Sequence, residues 1–470
     1  MYAAAPPSKT LPMPVRPETA ASGPDASAWR PLSLKRNVTW TAAGSAVEML
    51  SHWGRVVVLT QLGSLDMLGM VVLAFALCGP VNALACLGLR GAVVTDARRE
   101  YGFGDYLALR LATATLALLV IVGLVVAAGH RGPMAAIVLL VAAGEWLKSV
   151  SDVFHALLQQ HERMDRVALS LAIRGLLALG FLTLGVALTG SVVWAMAGFP
   201  LAMGVTLLAW DLCNGARVLG AGPASQGAAR AALRPRWHLP TMLRLCWLTL
   251  PLGVVMMLLA LQASVPRWLV SHYLGHRELG IFVSIFYLVM IGSRAVGALA
   301  QSAGPRLAKH YAAGNARAFG WLVMRLLGIV AAVGIGVILT VALAGGPILR
   351  LLYGLDYTPY LRTAVWLMAA GALMYLSVPL GMATDAMRRF KTHMLIRGAG
   401  VGALAALLPG LIAGWGLLGA AWGLAIGFAL MAATYAAVVG WEVRRLYGRN
   451  EHPSHGRPPE CRSRLESCTW

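Results

Sequence analysis

Three arginines stand where the chain is otherwise apolar: Arg55, Arg267 and Arg294. Arg55 lies seven residues before the turn Leu62-Gly63, and Arg267 lies seven before Leu274-Gly275. At 1.5 Å of helical rise per residue that is a depth of roughly 10 Å. An ionisable side chain at the bilayer centre costs from about 3 to over 10 kcal/mol, so it faces protein or water and marks a candidate site. The planar guanidinium fork suits bidentate contact with phosphate, which makes anion binding the chemistry to expect. The alternative is an interfacial anchor, with each arginine snorkelling to the membrane surface. Arg294 has no counterpart in the first half of the chain and sits deeper in its own apolar run.

A second group is confined to one helix face. Glu145, Lys148, Ser149, Asp152, His155 and Gln159 are spaced at three or four residues, with one step of a single residue. Acid and base alternate, so the stripe can neutralise itself as a buried ladder. Read functionally, it is the polar wall of a pathway, with Lys148 touching cargo and Glu145 or Asp152 coupling to an ion. Glu48 and His52 precede Arg55 by seven and three residues and share its face, which adds Glu48 to the ion-coupling candidates.

The elements that position these residues follow from composition. The chain has 470 residues, 58% hydrophobic and only 12% charged, half the charge of a typical soluble domain. Apolar runs long enough to cross about 30 Å of hydrocarbon recur throughout. They predict an all-α polytopic membrane protein with about twelve spans, near 38–61, 66–89, 106–129, 134–158, 168–189 and 191–212. The second six fall near 241–272, 278–303, 319–345, 360–384, 394–415 and 418–441. Residues 1–36 read as a disordered tail, 37–212 and 240–443 as two six-helix lobes, 213–239 as a linker and 444–470 as a basic tail.

The two halves share a skeleton. Arg55, Leu62-Gly63, Leu68-Gly69, Arg99, Tyr101 and Gly104-Asp105 match Arg267, Leu274-Gly275, Leu279-Gly280, Lys309, Tyr311 and Gly314-Asn315. A fainter echo sets Ser149-Val150 and Ile173-Arg174-Gly175 against Ser377-Val378 and Ile396-Arg397-Gly398. Six spans return the chain to its starting side, so the halves are parallel repeats about an axis along the membrane normal, around a central cavity. Equivalent residues on the first helix of each half then meet near that axis. Alternate loops carry Arg98, Arg99, Arg163, Arg166, Arg217, Arg230, Arg234, Arg236, Arg306, Lys309, Arg317, Arg388, Arg389 and Lys391. The other set has chiefly Arg131, Arg277, Arg350 and Arg362. The positive-inside rule therefore puts both termini in the cytoplasm.

Several classes are excluded or disfavoured. The net charge of +20 is accounted for by these loops, so no nucleic-acid partner is implied. There is no P-loop, HExxH helix or paired-cysteine zinc spacing, and so no sign of an enzyme, cofactor or metal centre. Cys78, Cys86 and Cys246 lie in apolar spans and read as small hydrophobes. Cys461, Cys468 and His455 are too few for a zinc site. Asn37-Val38-Thr39 matches a glycosylation acceptor but falls at the cytoplasmic edge of the first span.

The runs PRWLVSHYLGHRELGIF, TDARREYGFGDYLALRL and DVFHALLQQHERMDRVA resemble the bacterial oligosaccharide flippases of the multidrug/oligosaccharidyl-lipid/polysaccharide exporter superfamily. The resemblance covers residues from about 35 to 445. It implies two six-helix lobes facing a cationic cavity that accepts a polyprenyl-pyrophosphate-linked sugar. It also implies the bacterial inner membrane, no cofactor, and other polysaccharide-assembly membrane proteins as partners. Arg55, Arg267 and Arg294 could fill the cationic role. A multidrug cation antiporter of the same superfamily is the rival, although it would want an acidic cavity. A membrane glycosyltransferase or polymerase would want a large extramembrane loop, and none is present.

Overall fold

The computed structural model describes residues 31–96, 100–129, 131–220, 233–353 and 355–451, and every regular element among them is helical. The first half comprises α1 (Leu34–Gln61), α2 (Leu65–Cys86), the short α3 (Leu89–Thr95), α4 (Phe103–Ala127), α5 (Pro133–Gln160) and α6 (Met164–Thr189). Its sixth span is composite: α7 (Val192–Thr206), a π turn (Leu207–Asp211) and α8 (Leu212–Gly220). The second half comprises α9 (Leu239–Leu274), α10 (His276–Ala312), α11 (Ala316–Tyr353), α12 (Leu361–Ala386) and α13 (Phe390–Glu451).

Ten of these segments are long and apolar enough to cross a membrane. Two further crossings bring the total to twelve. α1 is long enough but carries Glu48, His52 and Arg55, and α13 is a hairpin broken at Gly416, whose φ of 58° no helix contains. Its arms run antiparallel: Gly419 packs on Leu411, Gly423 on Leu408, Gly427 on Leu404 and Gly400 on Met431. Local chemistry sets other boundaries. Ser64 Oγ accepts the Met67 amide at 3.2 Å to start α2, and Asp105 accepts the Gly102 amide at 2.9 Å to start α4. The main departures from the sequence reading are that the sixth span stays helical to Gly220, and that left-handed Leu87 and Gly88 break the second.

Twelve crossings leave both ends of the described chain on one face, here the terminal face. The turns at 62–64, 275 and 416 lie on the opposite, distal face. In the first lobe α1 and α6 run parallel: Gly44 lies against Ala168, Gly175 against Ser51 and Gly54 against Leu179. In the second lobe α9 packs on α13 and α10 on α12. The lobes meet where α2 packs on α9 and α10. A Cβ on Gly69 would run into the backbone carbonyl of His276, and one on Gly280 into that of Leu65. The repeated Leu-Gly pairs thus have a physical reason: each glycine admits the first turn of the other lobe's second helix. Gln61 Nε2 also donates to Leu352 O at 3.2 Å, so the lobes are joined at the distal face.

Some sequence features lie outside the described residues: residues 1–30, Arg98 and Arg99, 221–232 with Arg230, and 452–470 with His455, Cys461 and Cys468.

Candidate functional site

Arg55 and Arg267 line the same cavity, of about 220 Å³, between the two lobes. α1 supplies His52 and Arg55, α9 supplies Arg267, and α10 supplies Tyr287. The rest of the wall is apolar, with Leu59, Val71, Phe75 and Val283 among its residues. Arg294 is exposed, two turns along α10 from Tyr287, and interacts electrostatically with both Tyr287 and His52. The three arginines singled out in the sequence therefore converge on one region.

Arg55 is oriented without being neutralised. Its Nη2 donates to His52 Nδ1 at 2.5 Å, and its guanidinium carbon lies 5.9 Å from the centroid of the Phe199 ring. Phe199 is held edge-on by Phe75 with ring centroids 5.3 Å apart, and Gly144 leaves the space its ring occupies. Arg55 Nε is buried with no hydrogen-bond partner. Among the described residues, Arg55, Arg267 and Arg294 form no ion pair with a carboxylate. Glu48 and Glu145 act on Arg55 only through space, without direct pairing, so the guanidinium groups in this half-apolar wall keep hydrogen-bonding capacity that no carboxylate among the described residues takes up.

The polar stripe behaves differently. Lys148 Nζ pairs with Glu145 Oε1 at 3.0 Å, and Gln159 Oε1 accepts from Arg90 Nε at 3.0 Å. Ser149 Oγ accepts from Arg110 Nη1 at 3.3 Å. Glu48 is engaged by Arg174, whose Nε donates to Oε1 at 3.1 Å. Lys148, Glu145 and Glu48 thus already have partners, while Asp152 and His155 belong to a separate buried group. A consequence is measurable. Lys148→Met strands Glu145 in a half-buried site and should lower stability by about 1–3 kcal/mol, between the exposed and fully buried limits. Adding Glu145→Gln should recover most of that loss, as read by thermal unfolding in detergent. Equal stability of the single and double variants would show that the pair does not neutralise itself.

Sequence reasoning did not single out Arg110, Tyr287 or Asp211, and it met Arg174 only through the fainter repeat. That signal was informative. Arg174 on α6 reaches back to Glu48 on α1, while its echo Arg397 on α13 reaches back to Gln262 Oε1 on α9, with Nη1 at 3.4 Å. Arg397 Nε also contacts His393 Nε2 at 2.6 Å. Each lobe therefore ties its fifth span to its first through an arginine. A larger cavity of about 520 Å³, beside Tyr101, Phe103 and Leu157, is lined by none of the three arginines. Its carboxylate, Asp96, accepts from the Glu100 and Tyr101 amides and the Tyr106 hydroxyl.

The family model for a polysaccharide biosynthesis protein matches residues 58–362. The chain belongs to this family. It is 21% identical over 332 residues to the capsular polysaccharide biosynthesis protein CapF of Staphylococcus aureus, covering 69% of this chain and 78% of that one. Among solved structures, it resembles the inward-facing conformation of a multidrug resistance MATE family transporter of the MOP superfamily. The TM-score is 0.70 at 13% identity, over 87% of this chain and 99% of that one. The outward-facing conformation of such a transporter gives 0.56 at 15% identity, over 91% and 98%. A Pyrococcus furiosus MOP superfamily transporter, described as having a binding pocket of reverse polarity, gives 0.55 at 16% identity, over 91% and 99%. This polysaccharide biosynthesis family member is thus a multi-pass membrane protein with a transporter fold.

Proposed function

We propose that the chain is a flippase that moves polyprenyl-pyrophosphate-linked oligosaccharide from the cytoplasmic to the outer leaflet for surface polysaccharide synthesis. The carrying observation is that Arg55 and Arg267, matched by the internal repeat, line one cavity and lack a carboxylate partner. Pyrophosphate concentrates negative charge that two guanidinium forks can grip bidentately. The apolar wall tolerates the first carbons of the lipid, whose remaining length stays in the bilayer. In this reading the terminal face is cytoplasmic and the membrane is the bacterial inner membrane. The lobes 37–212 and 240–443, joined through 213–239, rock about the distal seam. That seam is closed, in keeping with the greater likeness to an inward-facing neighbour. The cationic cavity favours an anionic headgroup over the cations a multidrug antiporter exports, and family and fold point to a transporter rather than an enzyme. Other polysaccharide-assembly membrane proteins would take up the delivered product.

Deleting the gene in its native bacterium and assaying lipid-linked intermediates tests this. Undecaprenyl-linked oligosaccharide should accumulate on the cytoplasmic leaflet while surface polysaccharide disappears. Unchanged lipids with raised sensitivity to cationic dyes would replace the flippase by an antiporter. Single repeat units on the outer leaflet would indicate a polymerase instead.

A further inference from the structure

Behind the stripe, the first lobe encloses a group that the anion site does not use. The side chains of His155 and Asp211 are wholly buried, and Asp152 beside them remains 28% exposed. The π turn of the sixth span ends at Asp211, and such turns shift the helical register by a residue. His155 Nε2 lies 2.9 Å from Ser170 Oγ and 3.3 Å from Asp211 Oδ1, and the tautomer that suits two oxygen neighbours, one of them a carboxylate, is assigned here with the hydrogen on this nitrogen. Its Nδ1 is left with a bare lone pair, 3.7 Å from Asp152 Oδ1 and without a hydrogen-bond partner. Both oxygens of Asp211 also lack any hydrogen bond, and so does Asn214 Oδ1 one turn on. An unsatisfied buried carboxylate and an unsatisfied buried imidazole nitrogen, reached from water only past Asp152, form an incomplete constellation.

We propose that His155, Asp152 and Asp211 form a proton-binding site, through which the first lobe loads one proton per transport cycle. The proton enters from water at the partly exposed Asp152 and bonds to His155 Nδ1. The resulting imidazolium faces one carboxylate from each nitrogen, and release returns the same proton to water. An imidazole nitrogen is a poor sodium ligand, and among the described residues no cluster of three His, Cys, Asp or Glu side chains is arranged to hold a metal ion. The surrounding charges are mixed. Arg90 on α3, Arg110 on α4, Lys148 on α5 and Arg174 on α6 lie within electrostatic reach of Asp152, and their positive charge opposes uptake. Asp152 and Asp211 favour it, and Glu48 offsets Arg174 by direct pairing. The same Arg174 is under electrostatic pull from Glu48, Asp152 and Asp211 together. Charging His155 changes that balance, which links the proton to the α1–α6 contact and hence to the helix bearing Arg55.

This inference rests on the transporter reading for its purpose, but its test needs no cargo. Spin labels at Leu62 and Leu351, both exposed at the distal face, report whether the seam is closed. In the purified full-length protein, the ratio of closed to open populations should change between about pH 5.5 and about pH 8, by up to tenfold per pH unit for one linked proton. His155→Gln and the isosteric Asp211→Asn should each abolish that dependence, and either variant suffices if the other does not fold. A pH-independent wild type, a response kept by both variants, or a response to sodium at fixed pH would overturn the proposal. A flippase failure would instead appear only in the lipid assay.

Discussion

Replacing Arg55 or Arg267 with alanine is expected to lower lipid-linked oligosaccharide transport by about 10- to 100-fold, with near-normal protein abundance. The size follows from a charge-assisted hydrogen bond worth about 1.5–3 kcal/mol, at about 1.4 kcal/mol per tenfold. Abundance should hold because neither arginine neutralises a carboxylate within the protein, so removal strands no buried charge. The double alanine variant should have no measurable transport. Lysine at either position should restore activity in part, since it keeps the charge and loses the fork. Arg174→Ala is the informative contrast: it leaves Glu48 unpaired and should reduce folded protein before it reduces turnover. Normal transport by both single alanine variants would make the pair an interfacial anchor and remove the basis for an anion cavity.

The second large effect concerns the distal seam. Gly69→Ala and Gly280→Ala each place a methyl group against a backbone carbonyl of the opposite lobe, which cannot rotate aside as a side chain would. Overpacking of this kind costs about 1–3 kcal/mol, and the closed arrangement alone bears that cost. The equilibrium should therefore shift toward an open seam by roughly 5- to 100-fold. Thiol labelling of a cysteine at Leu62, rapid in the variants and slow in the parent, reads that shift. Unaltered labelling in both variants would mean that the contact does not hold the seam. Gly123→Ala is a suitable control, since nothing lies within 4 Å of the Cβ it would gain.

Much of this architecture is legible in the sequence, because bilayer physics leaves few options. Apolar length fixes a span, arginine-rich loops suggest a side, and the two Leu-Gly skeletons call for two copies of one fold. The meeting of Arg55 and Arg267 followed from that symmetry. What sequence could not show is which charges are already answered. Glu48 and Arg174 are far apart in the chain and become partners only because α1 and α6 run parallel. Lys148 reads equally well as a cargo ligand or as the partner of Glu145, and only the structure shows that its Nζ lies 3.0 Å from Glu145 Oε1. Tyr287 looks like one aromatic among many until the cavity brings it beside two guanidinium groups. Asp211 escapes attention because a π turn, which has no sequence signature of its own, carries it into the lobe interior.

The reciprocal glycine contact has the form of an isologous interface. Leu65 and His276 occupy equivalent positions in the two halves, as do Gly69 and Gly280, and each turn touches the other half's glycine. Two identical half-length chains related by a twofold axis would make this contact twice with one sequence motif. A single chain that holds both halves is free of that identity at most positions. One lobe could then acquire the ionisable interior around His155 while the other evolved separately. At the seam, however, a substitution in either copy still meets the unchanged backbone of its twin, and divergence there requires compensation from both sides. The shared Leu-Gly pairs are therefore held alike by the join between the lobes, where each half is the template for the other.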